Sequence, residues 1–284
     1  MNKQTLTAIA LITAVTSMAL TTIDPANKHA YGANVGWMNA EADTANGAVI
    51  GQAFCSGYMY GVNVGWIHLG DGDPHNHVAY ANNSATDYGV NHDGLGNLTG
   101  YAYGANMGWI NFEQTHGQPK INLATGALSG YAWGANVGWI NLATLATLTL
   151  GSGPDSDVDG IPDAWEYGHT NTLVVLDKNG KDSDVDGISD VDEYGADTDP
   201  FDAGDYLRIT DFQTLGTSNL VTWPVKTTRR YTLQHTFALT NTIPWTATSP
   251  PFIPPSGPDV TETIPGVADP NRFYRVQAAP PLSP

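Results

Sequence analysis

Short stretches in which apolar and polar residues alternate run through most of the chain, and glycine or proline separates them. This alternation is typical of β-strands with one buried face, and the glycine and proline clusters predict turns. We therefore predict a mostly-β fold. Short helical turns are expected only at residues 162–167 and 189–194, where Pro162 suits the first turn of a helix.

One aromatic unit occurs four times, at residues 31–37, 60–66, 103–109 and 133–139. Each copy predicts a hairpin: Tyr101 and Tyr103 would share one strand face, and the glycines and asparagine that follow favour a turn. One unit cannot bury an aromatic face alone, so the copies are expected to stack or close on each other. We interpret the repeated Trp and Tyr side chains as shared core. The alternative is an exposed surface that binds carbohydrate.

The last part of the chain predicts five or six further strands. They are expected at residues 206–215, 219–225 and 231–237, near Trp245, and at residues 260–264 and 272–276. Pairs of prolines between them break the pattern and favour open loops. A small β-sandwich is the natural interpretation.

Charge is concentrated in one region of the 284-residue chain. The formal net charge is −17, and residues 155–205 hold 16 of the 28 acidic side chains against only Lys178 and Lys181. Such a chain would repel nucleic acid and anionic membranes. A compact region this acidic needs a counter-charge, and bound metal would supply it. The single Cys55 cannot form an internal disulfide, which also favours metal as the stabiliser.

The N-terminus has the features of an export signal. Lys3 precedes an apolar run at residues 6–20, and Ser17 and Ala19 fit a small-x-small cleavage site. The run is short for a membrane span, and no later transmembrane segment is predicted. We expect a signal peptide at 1–19, a β-repeat domain at 20–150, a connector at 151–205 and a β-sandwich at 206–284. The mature protein would be secreted or held at the cell surface.

Two twelve-residue segments of the connector match a calcium-binding loop position by position. In that template, positions 1, 3, 5, 9 and 12 supply carboxylates, position 7 a backbone carbonyl, and position 6 is a glycine at a sharp turn. The first loop, residues 155–166, predicts the ligands Asp155, Asp157, Asp159, Ile161, Asp163 and Glu166. The second, residues 182–193, predicts Asp182, Asp184, Asp186, Ile188, Asp190 and Glu193. We expect two calcium ions.

Neither loop has a helix entering it, because residues 150–154 are rich in glycine and proline. The loops therefore resemble the thrombospondin type 3 or dockerin-like class rather than a calcium sensor. That resemblance implies a structural role, in which calcium orders a connector. Further ligands could come from Asp177, Asn179, Asp197, Asp199 and Asp202.

Two weaker resemblances concern the flanking regions. The copies at residues 100–111 and 130–141 are similar to an aromatic repeat of secreted bacterial proteins, which implies export. Residues 220–223, 230–234 and 272–276 are similar to C-terminal β-sandwich modules of such proteins. Neither resemblance implies a catalytic residue.

Three functions remain open on the sequence. The first is a secreted calcium-binding structural or adhesive protein, with an extracellular glycan or a cell-surface protein as partner. The others are a carbohydrate-binding protein and a polysaccharide-active hydrolase; no linear enzyme signature occurs, so we expect no catalysis. The polar insertion, together with His68 and His92, could bind a metal, because His75 and His77 would face one way on a strand, as a transition-metal pair can. Ordinary exposed loop residues, or a ligand-contact loop, are the other interpretations.

Overall fold

The computed structural model describes residues 21–176, 180–239, 243–265 and 272–283. The predicted signal peptide lies outside these residues, as do Asp177 and Asn179. The described residues form eighteen strands and two short helices, which confirms the mostly-β prediction. No helix among them has the length and apolar character needed to cross a membrane.

Twelve strands belong to the repeat region. They are β1 Ile23–Gly32, β2 Gly36–Asn39, β3 Tyr58–Gly61, β4 Gly65–His68, β5 Val90–His92, β6 Leu98–Gly104, β7 Gly108–Asn111, β8 Lys120–Ile121, β9 Leu128–Ser129, β10 Tyr131–Gly134, β11 Gly138–Asn141 and β12 Leu145–Thr147. The four aromatic units form the hairpins β1–β2, β3–β4, β6–β7 and β10–β11, as predicted.

The glycines of the unit make the hairpin turn possible. In the first copy, the Val35 N–H donates to the Gly32 carbonyl over 3.1 Å, and Gly36 follows with φ of 82°. A Cβ atom on Gly32 would lie 2.6 Å from the Val35 side chain. A larger residue would therefore clash at the first glycine and be strained in the left-handed region at the second.

The four hairpins close into a ring. The second strand of each hairpin pairs with the first strand of the next, and β11 pairs with β1 to complete the circle. An asparagine in each turn joins the copies a second time, because its side-chain amide donates to a backbone carbonyl of the neighbouring turn. These bonds are Asn34 to Val137, Asn63 to Val35, Asn106 to Val64 and Asn136 to Met107, each 3.0–3.1 Å long.

We expect Asn63→Ala to destabilise the protein by about 1 kcal/mol, because it deletes one of these inter-repeat bonds and leaves the Val35 carbonyl without it. Urea unfolding of the variant would measure the loss. Asn27→Ala is the matched control, since the Asn27 side-chain amide donates to Asp24, only three residues away in an exposed part of β1. An equal effect of the two substitutions would contradict a role in ring closure.

The interior of the ring is lined by aliphatic rather than aromatic side chains. Both strands of every hairpin point their small or aliphatic residues inward: Ala30, Met38, Met59, Ile67, Ala102, Ile110, Ala132 and Ile140 are all buried. The prediction that the repeated Trp and Tyr residues form a shared core is therefore wrong. The unit contains eight such Trp and Tyr side chains in its four copies. Seven of them are 38–56% exposed on the outer face, and the eighth, Tyr60, is half-buried. A closed ring of eight short strands has room for small chains inside, so the bulky rings lie outside.

The C-terminal region has six strands in two antiparallel sheets. They are β13 Asp211–Leu215, β14 Ser218–Pro224, β15 Arg230–Thr236, β16 Thr246–Ala247, β17 Asp259–Ile264 and β18 Phe273–Ala279. The sheets have the orders β13-β14-β17 and β16-β15-β18. They enclose a core around Trp223, Tyr231 and Leu233, which is a sandwich arrangement. The first strand begins at Asp211, five residues later than predicted.

The two helices follow the acidic loops. Helix α1 spans Asp163–Thr170 and α2 spans Asp190–Ala196. Pro162 lies one position earlier than predicted, because it is extended and precedes the first helical residue. Ser189 occupies the same place before α2, and its hydroxyl accepts the N–H of Asp192. Among the described residues, no helix leads into either loop, as the sequence predicted.

Candidate metal centre

The first acidic loop gathers three carboxylates around one point. Asp155, Asp157 and Asp159 each place an oxygen within 4.8 Å of the others, a spacing that one cation can bridge. Asp155 also shapes the loop, since its two oxygens accept the N–H groups of Asp159 and Gly160 over 2.9 Å. The loop is therefore wrapped around its own first carboxylate.

The second loop repeats this geometry. Asp182, Asp184 and Asp186 form the equivalent triad. Asp182 accepts the N–H groups of Asp186 and Gly187 over 3.1 and 2.8 Å, the same two positions as in the first loop. The two segments, 27 residues apart in sequence, therefore fold into the same arrangement.

The turn at position 6 depends on glycine for its backbone alone. Gly160 and Gly187 have φ of 94° and 97°, and a Cβ atom on either would meet nothing within 4 Å. Space therefore does not require glycine, but the left-handed conformation does. Val158 and Val185 also have positive φ, at 59° and 65°, which costs energy for a β-branched residue.

The glutamates at position 12 are the most informative residues of the site. Glu166 and Glu193 are fully buried, although buried carboxylates normally have hydrogen-bond partners. Within the described part of the chain, neither Glu166 oxygen has such a partner, and the Oε2 atom of Glu193 also has none. Helices α1 and α2 hold these oxygens in place beside the two aspartate triads.

Burial and the neighbouring carboxylates raise the pKa of both glutamates. Desolvation is the main cause, and the charges of Asp157 and Asp159 add to it at Glu166, whose pKa rises to about 8. Glu193 has a pKa of about 8 for the same reasons, with Asp184 and Asp186 as its charged neighbours. A cation between each glutamate and its triad would remove this repulsion.

The residues at position 9 hold the loop closed. Asp163 accepts the backbone N–H and the hydroxyl of Ser156 over 2.7 and 2.6 Å. Asp190 accepts the same pair of bonds from Ser183. Each of these carboxylate oxygens has a second lone pair that could bind a metal. The predicted ligand role of Asp163 and Asp190 therefore stays a prediction, as does that of the Ile161 and Ile188 carbonyls.

Asp197 connects α2 to α1 and to the C-terminal region, and it does not belong to the acidic cluster. It ends α2, and its carboxylate accepts bonds from Trp165, Thr228 and Arg229. Among the residues after the second loop, Asp199 and Asp202 accept backbone N–H groups of Phe201 and Gly204 in exposed turns. None of the three belongs to an aspartate triad.

Arg229 connects the C-terminal domain to α2. Its guanidinium is buried and donates to the carbonyls of Tyr194 and Gly195 at the end of the helix, as well as to Asp197. A cation suits this position, because the C-terminal end of a helix carries partial negative charge. The Tyr194 hydroxyl reaches Gln52 of the repeat domain over 3.1 Å, so α2 contacts both β domains.

Helix α1 packs on the repeat domain. Ala164 is buried with Phe54 and Tyr80, and the ring of Tyr167 stacks on His77 with 4.2 Å between ring centres. The two helices contact each other through Trp165 and Tyr194. A cavity of about 290 Å³ lies where the three regions meet. The sequence contained no signal for these contacts, since none belongs to a motif.

The histidines of the insertion lie close to aspartates. His75 lies 3.9 Å from Asp87 and His77 lies 3.6 Å from Asp73, in a turn rather than on a strand. His92 is buried, and its ring bonds to the Gly51 carbonyl and the Gly96 N–H, which favours the neutral form. The strand on which His75 and His77 were expected to face one way is therefore not formed, and a metal site at these residues stays a prediction.

No family model, no curated protein and no solved structure matches the chain.

Proposed function

We propose that residues 155–166 and 182–193 each bind one calcium ion, and that the two ions order the connector between two β domains of a secreted or surface protein. The observation that supports this most is the set of buried glutamate oxygens without a hydrogen-bond partner among the described residues, both of Glu166 and the Oε2 atom of Glu193, beside two aspartate triads. Carboxylate oxygens in this number suit a hard cation that takes six to eight oxygen ligands.

Calcium is favoured over magnesium by the donor set. Magnesium requires a small octahedral shell and gives up its water reluctantly, so it rarely uses a cage built only from protein oxygens. The template positions supply up to six protein ligands per loop, including a glutamate able to bind through both oxygens. This arrangement suits the larger and more flexible calcium shell.

A joining role is supported by the position of each helix. Glu166 and Tyr167 are adjacent on α1, and Glu193 and Tyr194 are adjacent on α2. Tyr167 stacks on His77 and the Tyr194 hydroxyl reaches Gln52, both in the repeat domain. A metal bound by either glutamate would therefore restrain the helix whose next side chain makes an interdomain contact. Because the loops have no entering helices that could open, we infer a fixed joint rather than a sensor.

Calorimetric titration of chelator-treated protein tests the proposal. We expect two calcium ions per chain and much weaker binding of magnesium. Glu166→Gln and Glu193→Gln should each weaken one site, because each removes a predicted bidentate ligand. Asp192→Asn is the matched control: it removes one negative charge from α2 at an exposed position and should leave both sites intact. Absence of calcium binding, or equal weakening by the control, would refute the assignment.

A further inference from the structure

A pair of aromatic rings from each hairpin lies on the outside of the closed sheet, so that rings recur all the way around it. We call this set of rings the aromatic belt; it consists of Tyr31, Trp37, Tyr60, Trp66, Tyr103, Trp109, Trp133 and Trp139. In every hairpin the two rings face each other across the strands with centroids 4.8–4.9 Å apart and planes tilted by 55–58°. Between hairpins, each first ring lies opposite a polar side chain: Asn141, Asn39, His68 and Asn111.

This belt exposes more apolar surface than hairpin pairing alone requires. Cross-strand aromatic pairs do stabilise a hairpin, but the belt tryptophans remain 38–56% exposed after pairing. Large exposed apolar side chains that cluster among polar residues are typical of an interaction site. The belt alternates rings with amide and imidazole groups, so it offers stacking and hydrogen bonding together.

One sector of the belt departs from the fourfold pattern. Tyr88, from the polar insertion, stands at 89° to Trp109 with 4.8 Å between ring centres, and lies 6.4 Å from Tyr103. Its hydroxyl is 2.8 Å from the Nδ1 atom of His68, which fixes the ring in place. Tyr88, Trp109, Tyr103 and His68 therefore form a preformed aromatic corner that the other three sectors lack in the described structure.

The charge of this corner limits its partner. The corner consists of aromatic and imidazole side chains, and the nearby Asp71 adds negative charge. An anionic polymer or membrane surface would be repelled by Asp71 and by the net charge of −17. The rings and the amide and imidazole groups opposite them therefore suit a ligand that has both apolar faces and hydroxyl groups and carries no acidic group.

We propose that the aromatic corner is a binding site for uncharged polysaccharide chains. A sugar ring would stack its apolar face on Trp109 and rest its edge against Tyr88, while His68 and neighbouring polar groups bond to hydroxyls. Because the belt curves around a closed sheet, its rings do not share a plane. The site therefore suits single flexible chains rather than the flat face of a crystalline polysaccharide.

Affinity electrophoresis tests this site. The calcium-loaded full chain is run in native gels that contain mixed-linkage β-glucan, galactomannan, xyloglucan or soluble starch. We expect at least one of these neutral polymers to retard the protein. Trp109→Ala and Tyr88→Ala should each weaken that retardation about tenfold, as for a truncated hot-spot residue. Insoluble cellulose should bind less than the soluble polymer.

The matched control is Trp139→Ala. Trp139 has the same hairpin position and nearly the same exposure as Trp109, 42% against 44%. Among the described residues, however, no ring packs against Trp139 as Tyr88 packs against Trp109. Its removal should change retardation less than about threefold. Melting curves of all variants check folding, and the milder Trp109→Phe replaces Trp109→Ala if the latter unfolds.

Three results would overturn the proposal. They are no retardation by any neutral polymer, equal loss in the Trp109→Ala and Trp139→Ala proteins, and binding only to alginate or to phosphatidylcholine vesicles. The corner contains no residue of the acidic loops, so a failure here leaves the calcium titration unaffected, and the reverse also holds.

Discussion

Removal of calcium with EGTA is expected to lower the melting temperature by about 10–20 °C. A ligand that binds only the folded state stabilises it by about 2.7 kcal/mol when its concentration is a hundred times Kd, so two ions contribute about 5 kcal/mol. For a chain of this size, 1 kcal/mol corresponds to about 2–4 °C. Scanning calorimetry at matched protein concentration in calcium and in EGTA measures the difference.

The size of this effect should depend on pH. In the metal-free folded chain, Glu166 and Glu193 keep their protons up to about pH 8, whereas unfolded glutamate loses its proton near its ordinary pKa of 4.5. Between these values the unfolded chain binds fewer protons than the folded one, so the free energy of unfolding in EGTA falls as pH rises. Bound calcium stabilises the deprotonated carboxylates, so the gap between the two melting curves widens from pH 5 to pH 8.

The control is the double variant Glu166→Gln with Glu193→Gln. It should melt at nearly the same temperature in calcium and in EGTA, because it lacks the two glutamate carboxylates through which bound calcium is proposed to stabilise the folded chain. Above pH 8 in EGTA it should also be more stable than the unaltered protein, since it buries no repelling charge. Superimposed curves of the unaltered protein in calcium and EGTA would contradict the calcium assignment.

Arg229→Ala is expected to cost about 3 kcal/mol of stability. The substitution removes the bonds that Arg229 donates to the end of α2 and leaves the Asp197 carboxylate without its cation at a partly buried interface. The urea midpoint in calcium-containing buffer measures the loss. Arg229→Lys should recover only part of it, because an ammonium group cannot make the several bonds of a planar guanidinium.

The neighbouring arginine provides a matched comparison. Arg230 has the same side chain one position later, but it donates to Ser283 near the end of the chain, away from the connector. We expect Arg230→Ala to change stability by less than about 1 kcal/mol. Equal midpoints for the two alanine variants would show that the contact between α2 and the C-terminal domain contributes little.

The acidic loops illustrate how much of a site can be predicted from linear spacing. A calcium loop is local: its carboxylates lie within twelve residues, and the glycine at position 6 sets the turn without help from the rest of the protein. Both aspartate triads therefore formed at the predicted positions. The role of Asp163 and Asp190 was less predictable, because bonds from Ser156 and Ser183 occupy the same oxygens.

The repeat units show where such prediction fails. Alternation along a strand says which residues share a face, and Tyr103 and Trp109 do share one. It does not say which face is inside. Here the closure of eight short strands decided this, because Ala102 and Ile110 fit a narrow interior and the large rings do not.

The amino-acid sequence by itself determined the local features: the hairpins, the tight glycine turns, the two acidic loops and the short helices after them. Each depends on residues a few positions apart, so neighbouring side chains and backbone geometry suffice. Only the tertiary structure decided the exposure of the aromatic belt, the ring of asparagine bonds and the burial of Arg229 against α2. These arise between segments up to about a hundred residues apart, such as Asn34 and Val137, whose meeting depends on how the whole chain closes.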